Sequence, residues 1–336
     1  MESLDTDYLQ NDSLLLDLWN FTESYEVSPD LSTNTIVTSV FLLLICVIGC
    51  IGNTLVFWAI FRYVKMKTVT NIYILNVAAI DLLNALVLPF DVAHNILKAW
   101  PFGSVLCKFM WIVHHNLFPR GFFLTVMSVD CCVSVYRPMM SNKWRKARVV
   151  TLICATVWVS ATLLSLPAII YADVHLVFQV CTLDFSQDIW AYSYDVYTFT
   201  VGILVPLQII GLCFFLIAVK VRSSGQPVGS PRCGSSKGSR KALFLTIVFL
   251  ICCSPIQILL ITHRYFPLTF DWLLSFFYVL ASVRICANPI VCGLLFNDFH
   301  ESFRTILCFW RKAGAEASDP RESKEENSYH QESMLA

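Results

Sequence analysis

Charged side chains inside long apolar stretches are the residues of this sequence with the greatest capacity for chemistry. Asp81, Arg120 and Arg284 each interrupt such a stretch. An arginine at the centre of an apolar helix costs about 2.5–3.5 kcal/mol on membrane-insertion scales, so it needs a partner. Arg120, which follows Pro119, therefore requires either an interior partner or a path along which its side chain reaches water.

The patterns typical of catalysis or transport are missing from these stretches. They contain no paired carboxylates along a path, no retinal-type lysine in the last stretch and no metal-ligand spacing. His114 and His115 are adjacent, so their side chains diverge by about 100° on a helix. Gly229 to Gly234 has P-loop spacing without the following Lys-Ser/Thr. We expect no enzyme activity, no cofactor and no metal site.

Seven apolar segments must position these residues. Each has about the 20 residues that a helix needs to cross a bilayer, and charged residues are 14% of the chain against about 25% in soluble domains. Backbone groups in lipid must bond within their own helix, so the sequence predicts an all-α membrane protein, a seven-helix bundle. We number the segments spans one to seven: Thr35–Phe61, Thr70–Leu97, Val105–Val135, Val149–Tyr171, Tyr192–Val219, Ala242–Thr262 and Trp272–Leu295.

Basic residues in alternate loops predict the orientation. The first, third and fifth loops carry Arg62, Lys65, Lys67, Lys143, Arg145, Lys146, Arg148, Lys220, Arg222, Arg232, Lys237, Arg240 and Lys241. The other loops have few, namely Lys98 and Arg264. We therefore expect a multi-pass protein of the plasma membrane with an extracellular N-terminus. Residues 1–34 are polar, so span one is expected to act as an uncleaved signal-anchor.

The segment before span one has the features of an exposed extracellular tail. Asn11 and Asn20 stand in glycosylation sequons, and residues 1–34 contain eight acidic residues and no lysine or arginine. Two interpretations stay open: a solvated tail, or a segment that attracts a cationic ligand. Among the cysteines, most lie within spans as small apolar side chains. Cys107 and Cys181 lie at the outer surface and are the expected disulfide.

The end of the chain is expected to lie in the cytoplasm. Phe296–Phe309 has apolar residues at helical spacing and predicts a short amphipathic helix eight on the inner leaflet. Cys308 at its end is a candidate palmitoylation site. The predicted organisation is a tail at 1–34, a receptor-like domain with helix eight at 35–308 and a tail at 309–336, either disordered or modified by kinases.

Several motifs carry a resemblance to a known family. Lys65–Asn76, Trp100–Lys108, Ala218–Gly225 and Cys286–Ile290 closely resemble somatostatin receptors, types 3 and 5 nearest, with opioid and neuropeptide B/W receptors next. The resemblance covers Thr35 to Cys308. General marks of rhodopsin-like G-protein-coupled receptors are also present: Gly52, Asn53, Asp81, Trp158, Pro206, Pro255, Asn288 and Pro289.

The resemblance implies a receptor for a cationic peptide that signals through an inhibitory heterotrimeric G protein. It also implies arrestin and receptor kinases as further partners, contact with membrane lipid, and no nucleic-acid partner. The alternative is an atypical member that binds, scavenges or heterodimerises without signalling.

Departures from the family pattern motivate that alternative. The Asp-Arg-Tyr motif that faces the G protein reads Asp130-Cys131-Cys132 here. The family's helix-five and helix-seven tyrosines match Phe214 and Cys292, and its Cys-Trp-x-Pro reads Cys252-Cys253-Ser254-Pro255. Each charge-assisted contact is typically worth about 1.5–3 kcal/mol, so the loss of several leads us to expect weak or absent G-protein activation.

The predicted ligand site also differs from that of the family. The family's helix-three aspartate, which pairs with a lysine of the peptide, matches His114. We expect Asp91 and Asp195 to replace it and Gln257 to offer a hydrogen bond, although an aspartate at a helix end is often merely solvated. Further acids near the outer mouth are Asp173, Asp184, Asp188 and Asp271.

The resemblance also gives the interior charges a hypothesis. Arg120 matches the position where the family has a polar ligand of a bound sodium ion, facing Asp81. Arg284 lies one turn outward of Asn288, near the same pocket. Arg120, with or without Arg284, is therefore expected to pair with Asp81 and to take the place of the sodium ion.

Overall fold

Seven helical segments in the described part of the chain are long and apolar enough to cross a membrane. A computed structural model describes residues 30–62, 68–113, 118–137, 139, 141, 146–175, 179–185, 187–223, 236–265 and 271–295, without the side chains at 188, 236–240, 264, 265, 271 and 291–295. The observed membrane segments are Thr33–Arg62, Val69–Leu97, Gly103–Tyr136, Ala147–Leu164, Ile189–Ser223, Lys241–His263 and Trp272–Ile290. The prediction of seven spans and a helical bundle is confirmed.

The elements follow one another along the chain with a single small sheet among them. In order they are α1 (Thr33–Arg62), α2 (Val69–Leu97), α3 (Gly103–Val113), α4 (Phe118–Tyr136), α5 (Ala147–Leu164), α6 (Leu166–Tyr171), β1 (Ala172–Val174), β2 (Cys181–Leu183), α7 (Asp188–Phe199), a π-helical turn (Thr200–Leu204), α8 (Val205–Ser223), α9 (Ser236–Tyr265) and α10 (Asp271–Leu295). Span three comprises α3 and α4, and span five comprises α7, the π-helical turn and α8.

The distribution of polarity is that of a protein in lipid. Large apolar side chains such as Val47, Leu152 and Phe215 are more than half exposed, whereas polar side chains occupy the interior. Contiguous exposed apolar surface of this extent is rare in soluble proteins. Buried polar residues of the spans include Asn53, Asp81, Asn84, Arg120, Ser128, Ser282, Arg284 and Asn288.

A disulfide and a β-hairpin mark one end of the bundle, which we call the hairpin end. β1 and β2 pair antiparallel, with Val174 opposite Cys181, and a disulfide joins Cys181 to Cys107 at the start of span three. Lys108 holds the other strand, since its ammonium donates to the carbonyls of Ile169 and Ala172 at 3.1 and 2.7 Å. The hairpin is thereby fixed over the end of span three.

The start of span one is also fixed at the hairpin end. Asp30 accepts hydrogen bonds from the Thr35 hydroxyl and the Ser32 amide and forms an ion pair with Lys98 at 3.0 Å. These donors, the Thr35 hydroxyl first, hold the pKa of Asp30 well below its usual range. The amide of Asp30 donates to the carbonyl of Ile96, so the chain before span one is tied to the end of span two.

Spans three and five approach closely at a pair of glycines. A Cβ atom added to Gly121 would lie 2.6 Å from the carbonyl oxygen of Gly202, which belongs to the π-helical turn. The obstacle is backbone and cannot rotate away. Gly121, which follows Arg120 directly, therefore sets the distance between these two spans.

Replacing Gly121 by alanine is expected to destabilise the fold by about 1–3 kcal/mol, the usual cost of overpacking. The matched control is Gly211→Ala in span five, where an added Cβ meets nothing within 4 Å and alanine gains helix propensity. Melting temperatures of both variants in detergent would measure the difference. Equal stability of the two variants would contradict the close approach.

Candidate functional site

A carboxylate at the centre of the bundle binds donors on both of its oxygens. Asp81 of span two is fully buried; its Oδ1 accepts from the guanidinium of Arg120 in span three. Its Oδ2 accepts from the side-chain amide of Asn288 in span seven. The Arg120 Nη2 also lies 3.4 Å from the carbonyl oxygen of Arg284. One carboxylate thus joins spans two, three and seven.

Arg284 lies beside this ion pair without joining it. The residue is 5% exposed, and its guanidinium donates to the carbonyl of Ala281 at 2.6 Å and to Oδ1 of Asn84 at 3.1 Å. Among the described residues, no carboxylate lies within ion-pair distance of it. Arg120 thus forms the ion pair with Asp81, and Arg284 forms its hydrogen bonds with Ala281 and Asn84.

A cavity of about 440 Å³ lies at the hairpin end. Trp100 and Cys181 border it at that end, and Cys253 and Arg284 lie deeper. Its described lining comes from spans one, two, three, six and seven together with the loop and hairpin residues. Cavities of this size that are mostly apolar, with a few polar groups, are typical of ligand sites.

Only some of the sequence-predicted ligand residues line this cavity. Asp91 and Gln257 line it, and Asp91 Oδ2 accepts a hydrogen bond of 2.9 Å from the hydroxyl of Tyr278. Asp195 does not line it, because span five contributes no residue to the described lining. His114 lies outside the described residues, as do Asn11, Asn20, Cys308 and the predicted helix eight.

Sequence reasoning missed other residues of the cavity. Tyr278, which orients the Asp91 carboxylate, gave no signal because a tyrosine in an apolar span is common. Trp100 is 2% exposed and was noted only as part of a motif. The position of Arg284 against the cavity was also not foreseen, although its charge within an apolar span was a usable signal.

The opposite end of the bundle holds the residues that replace the Asp-Arg-Tyr motif. Asp130 and Cys131 are buried, and Cys132 is half-buried, so these side chains lie among the helices. Lys241 at the start of span six is 5% exposed and donates to Oδ1 of Asn71 in span two at 3.1 Å. A buried ammonium thus links two spans at this end.

Comparison with known proteins places this architecture in a family. The sequence profile described as 7 transmembrane receptor (rhodopsin family) matches residues 52–291. The chain belongs to the rhodopsin family of seven-transmembrane receptors. It is 39% identical to somatostatin receptor type 5 of Bos taurus over 301 residues. This aligned region covers 87% of this chain and 82% of the relative. Somatostatin receptor type 2 of Mus musculus is 36% identical over 92% of this chain and 86% of its own length.

Somatostatin receptor type 3 of Homo sapiens is 36% identical over 79% of this chain and 66% of its own length. The resemblance to somatostatin receptors, types 3 and 5 among them, is confirmed. The chain is thus a multi-pass membrane protein of a receptor family.

Proposed function

We propose that the chain is a plasma-membrane receptor for a peptide ligand, of the somatostatin-receptor type, with the hairpin end and the N-terminus outside the cell. The cavity at the hairpin end is the observation that carries the proposal. Similarity to somatostatin receptors over most of the chain and the alternation of basic loops support it. Orientation follows because a disulfide between Cys107 and Cys181 persists in an oxidising compartment.

The proposed anchor for a cationic group of the peptide is Asp91. It lies in the cavity wall, and the Tyr278 hydroxyl holds one carboxylate oxygen in place. A hydrogen bond to a charged group contributes about 1.5–3 kcal/mol. Gln257, across the cavity in span six, is proposed to add a neutral hydrogen bond.

The proposed role of Arg120 is that of a built-in cation. Both oxygens of Asp81 have protein donors, which supports the proposal that Arg120 takes the place of the family's sodium ion. A tethered guanidinium cannot leave during a conformational change. The centre of the bundle would then act as a fixed clamp.

A peptide-binding screen on intact cells tests the proposed ligand class. The probes are labelled somatostatin, neuropeptide W and opioid peptides. Asp91→Asn is expected to weaken binding of the peptide found by about 10- to 150-fold, the equivalent of one charge-assisted contact. Asp195→Asn is the matched control, because Asp195 lies outside the cavity lining. Binding of no peptide, or equal losses in the two variants, would contradict the proposal.

Signalling is a separate readout on the same cells. An inhibitory G protein, arrestin and receptor kinases are the partners that membership of the family implies. The Cys131 thiol, 1% exposed, stands where the family has an arginine, so we expect a small agonist-dependent fall in cyclic AMP. A robust agonist-dependent fall would contradict the expectation of weak coupling.

A further inference from the structure

The cavity carries opposite charges at two depths. Asp91 of span two and Arg284 of span seven both line it. The carboxylate of Asp91 is bound to Tyr278, which precedes Arg284 by six residues in α10. At a rise of 1.5 Å per residue, the two α10 positions are separated by about 9 Å along the helix. The acidic group therefore lies nearer the mouth, and the basic group lies at the floor.

Arg284 forms no ion pair with any carboxylate in the described part of the protein. Arg120 is matched by Asp81, whereas the partners of Arg284 are a backbone carbonyl and the neutral amide of Asn84. Asp91, the other carboxylate of the cavity, is bound to Tyr278 nearer the mouth, so the Arg284 guanidinium is left without a carboxylate at ion-pair distance. A buried guanidinium without a carboxylate at ion-pair distance is costly, so an anion bound beside it in the cavity would be favoured.

The guanidinium also keeps hydrogen-bonding capacity. An arginine side chain offers five N–H donors, and two of those of Arg284 are directed at Ala281 and Asn84. The residue is 95% buried, since its exposed fraction is 5%, yet it forms part of the cavity wall. Its remaining N–H groups are therefore available to a ligand in the cavity.

We propose that the cavity takes a short peptide with two free termini, with its ammonium on Asp91 near the mouth and its carboxylate on Arg284 at the floor. The inference rests on the proposed peptide-receptor function and specifies the chemistry of the ligand. A purely cationic group would leave the charge of Arg284 unmatched. An extended chain spans about 3.3–3.6 Å per residue, so a tripeptide has the length to reach both groups.

The test uses the full chain in lipid nanodiscs and the tripeptide Ala-Leu-Phe in four forms: free, N-acetylated, C-amidated and doubly capped. Thermal melting at increasing peptide concentration gives the dissociation constant of each form, because a ligand that binds the folded state raises its stability. We expect the free acid to bind at least about tenfold more tightly than the amide. We expect a similar loss for the N-acetylated form.

Substitutions at Arg284 and at Asp91 test the contributions of the two charges separately. In Arg284→Gln the preference for the free acid over the amide should vanish, while Arg284→Lys should retain part of it. In Asp91→Asn the preference for the free amine should vanish, while the preference for the acid remains. Melting in the absence of peptide shows which variants fold, and the comparison of acid with amide on the unmodified chain needs no variant.

Each result decides the inference. Equal binding of acid and amide to the unmodified chain, or no binding of any form, overturns it. An acid preference that survives in folded Arg284→Gln also overturns it. If the proposed function is correct, a labelled peptide of the binding screen still binds in the first two cases, so failure of the inference alone is distinguishable from a receptor that binds no peptide. If sodium chloride raises the melting temperature and abolishes the preference for the free acid, Arg284 binds an inorganic anion, and the inference is overturned.

Discussion

Replacing Arg120 by methionine is expected to destabilise the folded protein by about 3–5 kcal/mol, the usual cost of breaking a buried ion pair from one side. Asp81 is fully buried, and without Arg120 its remaining side-chain donor is Asn288. Methionine fills a similar volume, so the loss reports the charge more than the packing. Melting temperature and the yield of folded protein in detergent would measure it.

The partner substitution is the control for that result. Asp81→Asn removes the negative charge and leaves an amide oxygen that can still accept from Asn288. The double variant Arg120→Met/Asp81→Asn should therefore be more stable than Arg120→Met alone, because no unpaired charge remains. A double variant as unstable as the single one would show that the guanidinium stabilises the bundle by packing instead.

The sequence was sufficient for the features that the bilayer itself dictates. A helix in lipid must form all its backbone hydrogen bonds internally, and it has a minimum length for crossing the bilayer. The seven spans were therefore predictable. Most of their ends were predicted to within three residues. Span four differs, because the helix ends at Leu164 and a short second helix reaches Tyr171. A buried arginine needs a counter-charge, which is why Arg120 pointed to Asp81.

The placement of the cavity was not predictable, since it depends on how the helices are rotated and tilted. Packing against neighbouring helices sets these angles, and here small residues decide the approach. A Cβ added to Gly49 would lie 2.6 Å from Ile285, and one added to Gly52 would lie 2.6 Å from Pro289. This contact brings span one against span seven. The cavity consequently lies among spans one, two, three, six and seven, and Asp195 of span five is excluded from it.

Lys241→Met is expected to loosen the end of span six that lies opposite the hairpin end. The Lys241 ammonium is buried and donates to Oδ1 of Asn71, so its removal deletes a charge-assisted contact between spans six and two. Such a contact is worth about 1.5–3 kcal/mol, which corresponds to a roughly 10- to 150-fold larger population of the opened segment. Amide hydrogen exchange over residues 241–250 would measure that population directly, without requiring a G protein.

Two comparisons make this result specific to the contact. Lys220→Met is the matched control, because Lys220 lies at the same end of the bundle and is exposed; exchange in span six should not change. A double-mutant cycle with Asn71→Leu isolates the pairwise energy from other contacts of each residue. If the two single effects add in the double variant, Lys241 and Asn71 are not coupled, and span six is held at this end by its apolar packing through Ala242, Leu245 and Phe249.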